Sequence, residues 1–395
     1  MKFIYINKGA SPSKFSEYLK KHNNILQQQG QKYNQLLMEG LVENGAEVLS
    51  ISSRPLNRSM ERKTFMKKET EHENGIDYHY VSYINLPVFR NMSVFLNVFF
   101  KTLFLKVDRK DTVVVCDALN IAASFAALLA SRLRRLHASA IVTDVPCHRP
   151  SNAKVPTSQK INLWLMKQFD SYLLLTEQMS LVVNPKKRPY VVLEGHSDIS
   201  MKDVENTLEN KYSTRVCIYA GTLRRIYGIK DLVYGFIAAN VPNTELHIYG
   251  NGDFLPELKE LATKHDNVKY MGIAPNKEIV QAELKATLLV NPRPTHEDYT
   301  KYSFPSKNME YMASGTPVLT TKLPGMPQDH LEHVYLIEEE SAKGIEKALK
   351  QLLNKPAEEL HQKGIHAKRF VLQEKNNVKQ AKKWIDALKP LLASK

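Results

Sequence analysis

Arg215-Val216-Cys217-Ile218-Tyr219-Ala220 runs straight into Gly221-Thr222-Leu223-Arg224-Arg225-Ile226-Tyr227-Gly228 and then Ile229-Lys230-Asp231-Leu232. The first six residues have the apolar, β-branched character of a buried strand. A glycine breaks the run, two arginines and a second glycine follow, and apolar periodicity then resumes as in a helix. A strand that turns directly into a helix is the repeating unit of a parallel sheet covered by helices. The unit recurs in both directions along the chain. Upstream, Phe3 to Ile6, Glu47 to Ser50, Thr112 to Cys116, Ser139 to Thr143 and Tyr172 to Leu175 read as strands. Downstream, the strands are Leu246 to Tyr249, Val268 to Tyr270, Leu288 to Val290 and Pro317 to Thr320. The alternation restarts after Glu205, and the polar stretch Ser200 to Tyr212 lies between the two series, so two doubly wound domains joined by a linker are expected. Their expected bounds are 1–200 and 213–375. A last helix within 376–395 carries Val378, Ala381, Trp384, Ile385 and Leu388 at helical spacing and needs a surface to cover. The polar stretch Arg54 to His79 fits neither pattern.

Composition narrows the function classes. At 395 residues, with 43% apolar and 24% charged residues, the chain can bury large cores and is neither disordered nor fibrous. Three cysteines, Cys116, Cys147 and Cys217, have no metal-knuckle spacing and suit buried thiols in a reducing compartment. The formal charge is +14, concentrated in front: residues 1–200 hold 27 Lys and Arg against 17 Asp and Glu, the remainder 28 against 24. Such an excess suits an anionic membrane surface or a phosphorylated substrate. Nucleic acid is disfavoured, because the cations are scattered and no aromatic-interleaved run accompanies them. Met1 to Ile6 is too short for a signal peptide, and no segment reaches the roughly 18 uncharged apolar residues of a membrane span. The nearest approach, Val88 to Val107, is interrupted by Arg90, Lys101 and Lys106. It reads either as a buried helix or as one lying in a membrane interface.

Two clusters have the chemistry to hold an anion. In doubly wound sheets ligands sit beyond the carboxyl ends of strands, which is where Arg224 and Arg225 fall. An arginine fork matches phosphate oxygens, but two adjacent residues cannot both point inward, and a pair of solvated loop arginines is the alternative. The second cluster is Asn291-Pro292-Arg293, Glu297 and Tyr302-Ser303-Phe304-Pro305-Ser306-Lys307-Asn308-Met309-Glu310, closing at Gly315-Thr316-Pro317-Val318. Pro305 suits the first position of a helix, leaving the amides of Ser306 and Lys307 free at its positive end. Lys307 adds a full charge, and Glu310, one turn on, can accept hydrogen bonds from two vicinal hydroxyls such as those of a ribose. Gly250-Asn251-Gly252 lacks the third glycine of a dinucleotide fingerprint, which disfavours hydride transfer. His148, His196 and His296 stand alone, without metal-ligand spacing. Asp144 and His148 follow a strand end in the front half and are candidate acceptor-side groups.

From about Arg215 to Leu353 the chain resembles the nucleotide-sugar domain of the family 4 (group 1) glycosyltransferases of the GT-B fold. Four blocks carry the likeness in order: Tyr219-Ala220-Gly221-Thr222-Leu223, His247-Ile248-Tyr249-Gly250-Asn251-Gly252, Val268-Lys269-Tyr270-Met271-Gly272, and Phe304-Pro305-Ser306-Lys307 through Gly315-Thr316-Pro317-Val318. In the front half Asp144-Val145-Pro146, Leu174-Leu175-Thr176-Glu177-Gln178-Met179 and Leu193-Glu194-Gly195 are similar to the acceptor domain of these enzymes. The resemblance implies two Rossmann-like domains facing across a cleft, acceptor in front and donor behind, with the last helix returning to the front domain. It implies retaining, metal-independent transfer from a nucleotide sugar, UDP-linked by preference, to a glycan or polyprenyl-linked acceptor of surface polysaccharide. No cofactor is required, and the place of work is the cytoplasm, at the inner membrane face. Arg224, Lys307, Asp144 and Glu297 are the expected catalytic residues. Gly9, Gly221, Thr222, Arg225, Gly250, Arg293, Phe304, Pro305, Ser306 and Glu310 are the expected donor contacts; as a residue, Gly9 also reads as a plain turn glycine. Two departures stand out. Tyr302 replaces the family's glutamate eight residues before Glu310, with Glu297 as candidate substitute. Thr222 and Tyr227 replace a customary arginine and lysine. An epimerase or hydrolase on the same fold, or a non-catalytic subunit, are the rival readings.

Overall fold

The computed structural model describes residues 1–22, 26, 28–146 and 156–393. They form two compact units, one of Met1–His196 with the helix Asn377–Ala393, the other of Ser197–Asn376.

In chain order the first unit contains β1 (Lys2–Lys8), α1 (Pro12–Lys21), α2 (Gln28–Glu43), β2 (Glu47–Ser53), β3 (Phe65–Met66), β4 (Glu69–Glu73), β5 (Ile76–Tyr80) and β6 (Tyr83–Ile84). It continues with α3 (Phe89–Phe104), β7 (Thr112–Asp117), α4 (Ile121–Arg134), β8 (His137–Val142), α5 (Thr157–Met166), β9 (Ser171–Leu174), α6 (Glu177–Val183) and β10 (Tyr190–Val192). Eight strands share one sheet in the order β10-β9-β8-β7-β1-β2-β5-β4. Its central strands β7 and β8 are buried almost end to end because helices cover both faces. Only β4 runs antiparallel, paired with β5. This hairpin occupies the stretch that sequence patterning leaves unplaced. It turns at Asn74-Gly75, with φ of 52° and 74°, the left-handed pair a two-residue hairpin requires.

The second unit contains β11 (Arg215–Ala220), α7 (Ile229–Ala239), β12 (Thr244–Tyr249), α8 (Leu255–Lys264), β13 (Val268–Gly272), α9 (Asn276–Lys285), β14 (Leu288–Asn291), α10 (Ser306–Ser314), β15 (Val318–Thr320), α11 (Gln328–Leu331), β16 (Tyr335–Leu336), α12 (Ala342–Leu353) and α13 (Ala357–Glu374). All six strands are parallel, in the order β13-β12-β11-β14-β15-β16. The direction of winding reverses between β11 and β14, so the crevice beyond their carboxyl ends is the ligand position of such a sheet.

Ser200 to Tyr212, expected as a linker, is tied into the second unit. Asn206 Nδ2 donates to the Ser314 carbonyl (2.8 Å) and to Thr316 Oγ1 (3.0 Å). Lys211 Nζ donates to the carbonyls of Leu284 (2.8 Å) and Ala286 (2.9 Å), and burial pulls its pKa down to about 8. The segment is polar because it satisfies backbone acceptors, which composition alone does not distinguish from a solvated tether.

Asn377–Ala393, α14, lies on α2 in the first unit. Trp384, 1% exposed, packs with Phe3 at a ring distance of 5.6 Å, and Ile385 and Leu388 join the same core as Leu37 and Leu41. The Asn377 carbonyl passes so near Gly40 that a Cβ there would stand 2.3 Å from it.

Candidate functional site

The crevice between β11 and β14 is built by loops that touch backbone to backbone. Gly221 N–H bonds the Tyr249 carbonyl at 3.1 Å, and a Cβ on Gly250, whose φ is +129°, would meet the Gly221 oxygen at 1.8 Å. Gly228 (φ +77°) starts α7 directly against the Pro292 carbonyl, where a Cβ would stand at 2.1 Å. Gly250, expected as a donor contact, is thus required to be glycine by loop packing alone. Thr222 is exposed, and its carbonyl accepts from Tyr219 Oη (2.9 Å).

The two arginines part company. Arg225 pairs with Glu257, covers the Phe254 ring at 5.2 Å and donates its amide to Asp253. Its guanidinium, expected to serve phosphate, is committed to protein groups. Arg224 is exposed, 5.6 Å from the Tyr227 ring. Arg293, following β14, lies 4.6 Å from the same ring and 5.8 Å from that of Tyr299. Its Nε is buried without a hydrogen-bond partner among the described residues. Tyr227, at the position of the family's lysine, therefore supports a cation instead of supplying one. Burial pushes the Tyr299 hydroxyl up to about 12 against the lowering effect of Arg293, so it stays neutral.

Helix α10 is held in place from both ends. Asn308 Oδ1 accepts from Asn291 Nδ2 (2.7 Å), and Tyr311 Oη accepts from the Ala220 amide (2.9 Å). Gly315, at φ +81°, closes it. Pro305 is the cap residue, φ −69° and ψ 111°, one position earlier than expected; the helix proper starts at Ser306. The Asn308 amide bonds back to the Pro305 carbonyl at 3.0 Å, and the amides of Ser306 and Lys307 have no protein acceptor among the described residues. Phe304, expected at the donor, is instead a core residue, 5% exposed and edge-on to His330 at 5.4 Å. Its aromaticity serves packing, which a motif cannot separate from ligand contact.

Lys307 Nζ lies 2.9 Å from Glu310 Oε1. Asn276 Nδ2, at the start of α9, reaches both Glu310 oxygens at 3.3 Å. Burial works to pull the Lys307 pKa down, but Glu310 and then Glu283 outweigh it and hold it above the ordinary lysine value. Asn276 and Glu283 carry no sequence signal for this site, because only folding brings α9 to α10.

Glu297 caps the short 3-10 turn Asp298–Tyr302, with His296 Nε2 at 3.7 Å and Tyr302 half-buried at the turn's end. In the first unit, Asp144 is exposed and accepts from the Val145 amide (2.7 Å), and His148 and Cys147 lie outside the described residues. Gly9 is buried, its amide on the Ser53 carbonyl at 3.1 Å, with Gln31 Oε1 2.8 Å from where a Cβ would be. His196 is a core histidine, bonded to the Tyr33 carbonyl (2.9 Å) and packed at a tilt against the Tyr33 ring, 4.4 Å between centroids. Cys116 and Cys217 are buried free thiols. Among the described residues no three His, Cys, Asp or Glu side chains are grouped to hold a metal ion.

Two doubly wound sheets, the first parallel but for its edge strand β4 and the second wholly parallel with an open helix start beside its switch point, define a protein of the GT-B fold. Residues 214–355, within the second unit, match the family described as glycosyl transferases group 1. Sucrose-phosphate synthase from Thermosynechococcus elongatus is similar over 100% of both chains, with 16% identity and a TM-score of 0.68. HepE of Anabaena, solved in complex with UDP, is similar over 99% of this chain and 100% of its own, at 13% identity and TM-score 0.65. The lipopolysaccharide outer core galactosyltransferase WaaB, in its apo form, is similar over 99% and 100%, at 15% and 0.62. At these identities the likeness is one of fold. No curated protein matches the sequence.

Proposed function

We propose that the protein is a retaining, metal-independent glycosyltransferase that moves a sugar from a nucleoside diphosphate donor, UDP-linked by preference, to a glycan or lipid-linked acceptor in surface polysaccharide synthesis. The first unit takes the acceptor and the second the donor. The reading is carried by one observation: two open amides at the start of α10, with Lys307 and Glu310 on its first turns, inside the domain that matches the group 1 family. The HepE complex with UDP is in keeping with it. In transfer, the bond from the anomeric carbon to the diphosphate breaks, a glycosidic bond to the acceptor oxygen forms, and the acceptor hydroxyl gives its proton to the departing diphosphate oxygen. Negative charge develops on the leaving diphosphate, and preorganised donors stabilise it most where they need not reorganise. The Ser306 and Lys307 amides, the Lys307 ammonium and the Arg293 guanidinium are such donors, and Arg224 is the exposed reserve. Glu310 orients the ribose. Asp144 is the acceptor-side candidate in the first unit, and Glu297 the candidate for the role vacated at Tyr302. The protein works at the inner membrane face.

A thermal-shift series over UDP-, GDP- and ADP-sugars, followed by calorimetric titration and product analysis with chelator present, tests this. Stabilisation by one nucleotide class, and a glycoside product whose formation survives chelation, are expected. Absence of heat with every nucleotide sugar would leave a non-catalytic subunit; a product formed without acceptor would mean an epimerase or hydrolase.

A further inference from the structure

A helix on the surface of a soluble domain turns its polar side outward. Helix α3 does the reverse. Its buried side holds Val94, Val98 and Thr102, while Phe89, Met92, Leu96, Phe100 and Phe104, spaced three and four apart, face outward and are exposed. Phe104 is 74% exposed. Helix α4, packed alongside, presents Phe125, Leu129 and Leu133 at the same spacing, and α5 presents Ile161 and Trp164, the last 54% exposed. Ring contacts join the three stripes into one surface. Phe95 meets Phe125 at 5.7 Å, Phe125 meets Trp164 at 6.2 Å, and Phe99, Phe100 and Phe104 continue the row along α3. A connected apolar surface of this kind marks an interaction site.

Charge says what the partner is. The three helices contain no aspartate or glutamate, yet they carry Arg90, Lys101, Arg132, Arg134 and Lys160. Arg134 also donates to the Thr102 carbonyl (3.2 Å), which brings a cation to the end of α3 beside Phe104. Aromatic and aliphatic side chains among cations, with carboxylates excluded, match the boundary between headgroups and acyl chains of an anionic bilayer. A second protein surface would favour no such exclusion. No described helix is long and apolar enough to cross a membrane, so contact of this face is peripheral.

We infer that the outward face of α3, α4 and α5 docks the protein on anionic lipid, with Phe100, Phe104 and Trp164 entering the headgroup boundary. This names the surface for the membrane contact and is independent of the donor chemistry, since it is read without turnover.

The test is co-sedimentation of the full chain with phosphatidylglycerol/phosphatidylcholine vesicles and with phosphatidylcholine alone, together with quenching of tryptophan by brominated lipid. The chain has two tryptophans, and Trp384 is buried, so quenching reports Trp164. Binding more than about tenfold tighter to the anionic vesicles, weakened by salt and accompanied by Trp164 quenching, is expected. Phe100→Ser with Phe104→Ser should reduce binding about tenfold or more while the thermal transition and any nucleotide-induced shift stay in place. Trp164→Phe should keep binding and lose the quenching. No sedimentation, or sedimentation that the double variant leaves unchanged, overturns the assignment. So does a concentration-dependent dimer that the double variant dissolves, because the face would then meet a second copy.

Discussion

Lys307 and Glu310, one turn apart on α10, form an ion pair with Nζ 2.9 Å from Oε1, so the cation proposed for the diphosphate and the carboxylate proposed for the ribose hold each other in register. Asn276 braces the same carboxylate from α9.

Removing either partner should separate their roles. Hydrogen bonds to a charged group contribute about 1.5–3 kcal/mol, so Glu310→Ala should weaken donor binding roughly ten- to a hundredfold in calorimetry. Lys307→Ala should mainly slow turnover, by about a hundredfold as for a lost transition-state donor. Full activity in both variants would remove the site.

Tyr227 and Tyr299 orient Arg293, and the effect of disturbing them should pass through that guanidinium. Tyr227→Ala should weaken donor binding by the roughly 0.5–2 kcal/mol of a partly buried cation–π contact. Arg293→Lys should be no better, because an ammonium loses the planar fork. If Tyr227→Ala has no effect in an Arg293→Lys background, the two act as a unit; additive losses in a double-mutant cycle would contradict this.

Asp117, at the end of β7, offers a pH signature. Burial raises its carboxyl to about 6, against the lowering effects of the Leu119 amide (3.2 Å) and Asn34. The folded state therefore keeps a proton that the unfolded chain, at the ordinary value of 3.8, has released, and stability declines as pH rises through that window. Asp117→Asn should be the more stable protein at pH 7. Its advantage in melting temperature should open between pH about 4 and about 6 and stay level above. A constant gap across that range would refute the assignment.

Trp384→Ala should cost about 3–5 kcal/mol, the usual loss for a large aromatic buried in a core. Urea unfolding followed by circular dichroism should show the first unit yielding earlier, with the second unit's transition unmoved.

Legibility followed burial. Five of the second unit's six strands could be read to within two residues because their covered middles are apolar, whereas polar Thr244-Glu245 at the start of β12 and the two-residue edge strand β16 lack that signal. The β4–β5 hairpin could not, since Glu69-Thr70-Glu71-His72-Glu73 is a charged edge strand without apolar alternation; its Asn74-Gly75 turn was the remaining cue. At the site, the helix start and its first-turn residues were visible because capping, charge and spacing are local. The retirement of Arg225 to Glu257, the burial of Phe304 and the arrival of Asn276 depend on residues far along the chain, and no local pattern encodes them.

Asn377–Ala393 supplies part of the first unit's core, and this inverts the usual schedule of folding on the ribosome. Residues 1–196 emerge early but must wait with an open groove over Phe3 and Leu37 until translation delivers Trp384, whereas Ser197–Asn376 is contiguous and can close first. The nascent front portion is therefore the one that a holding chaperone would need to shield.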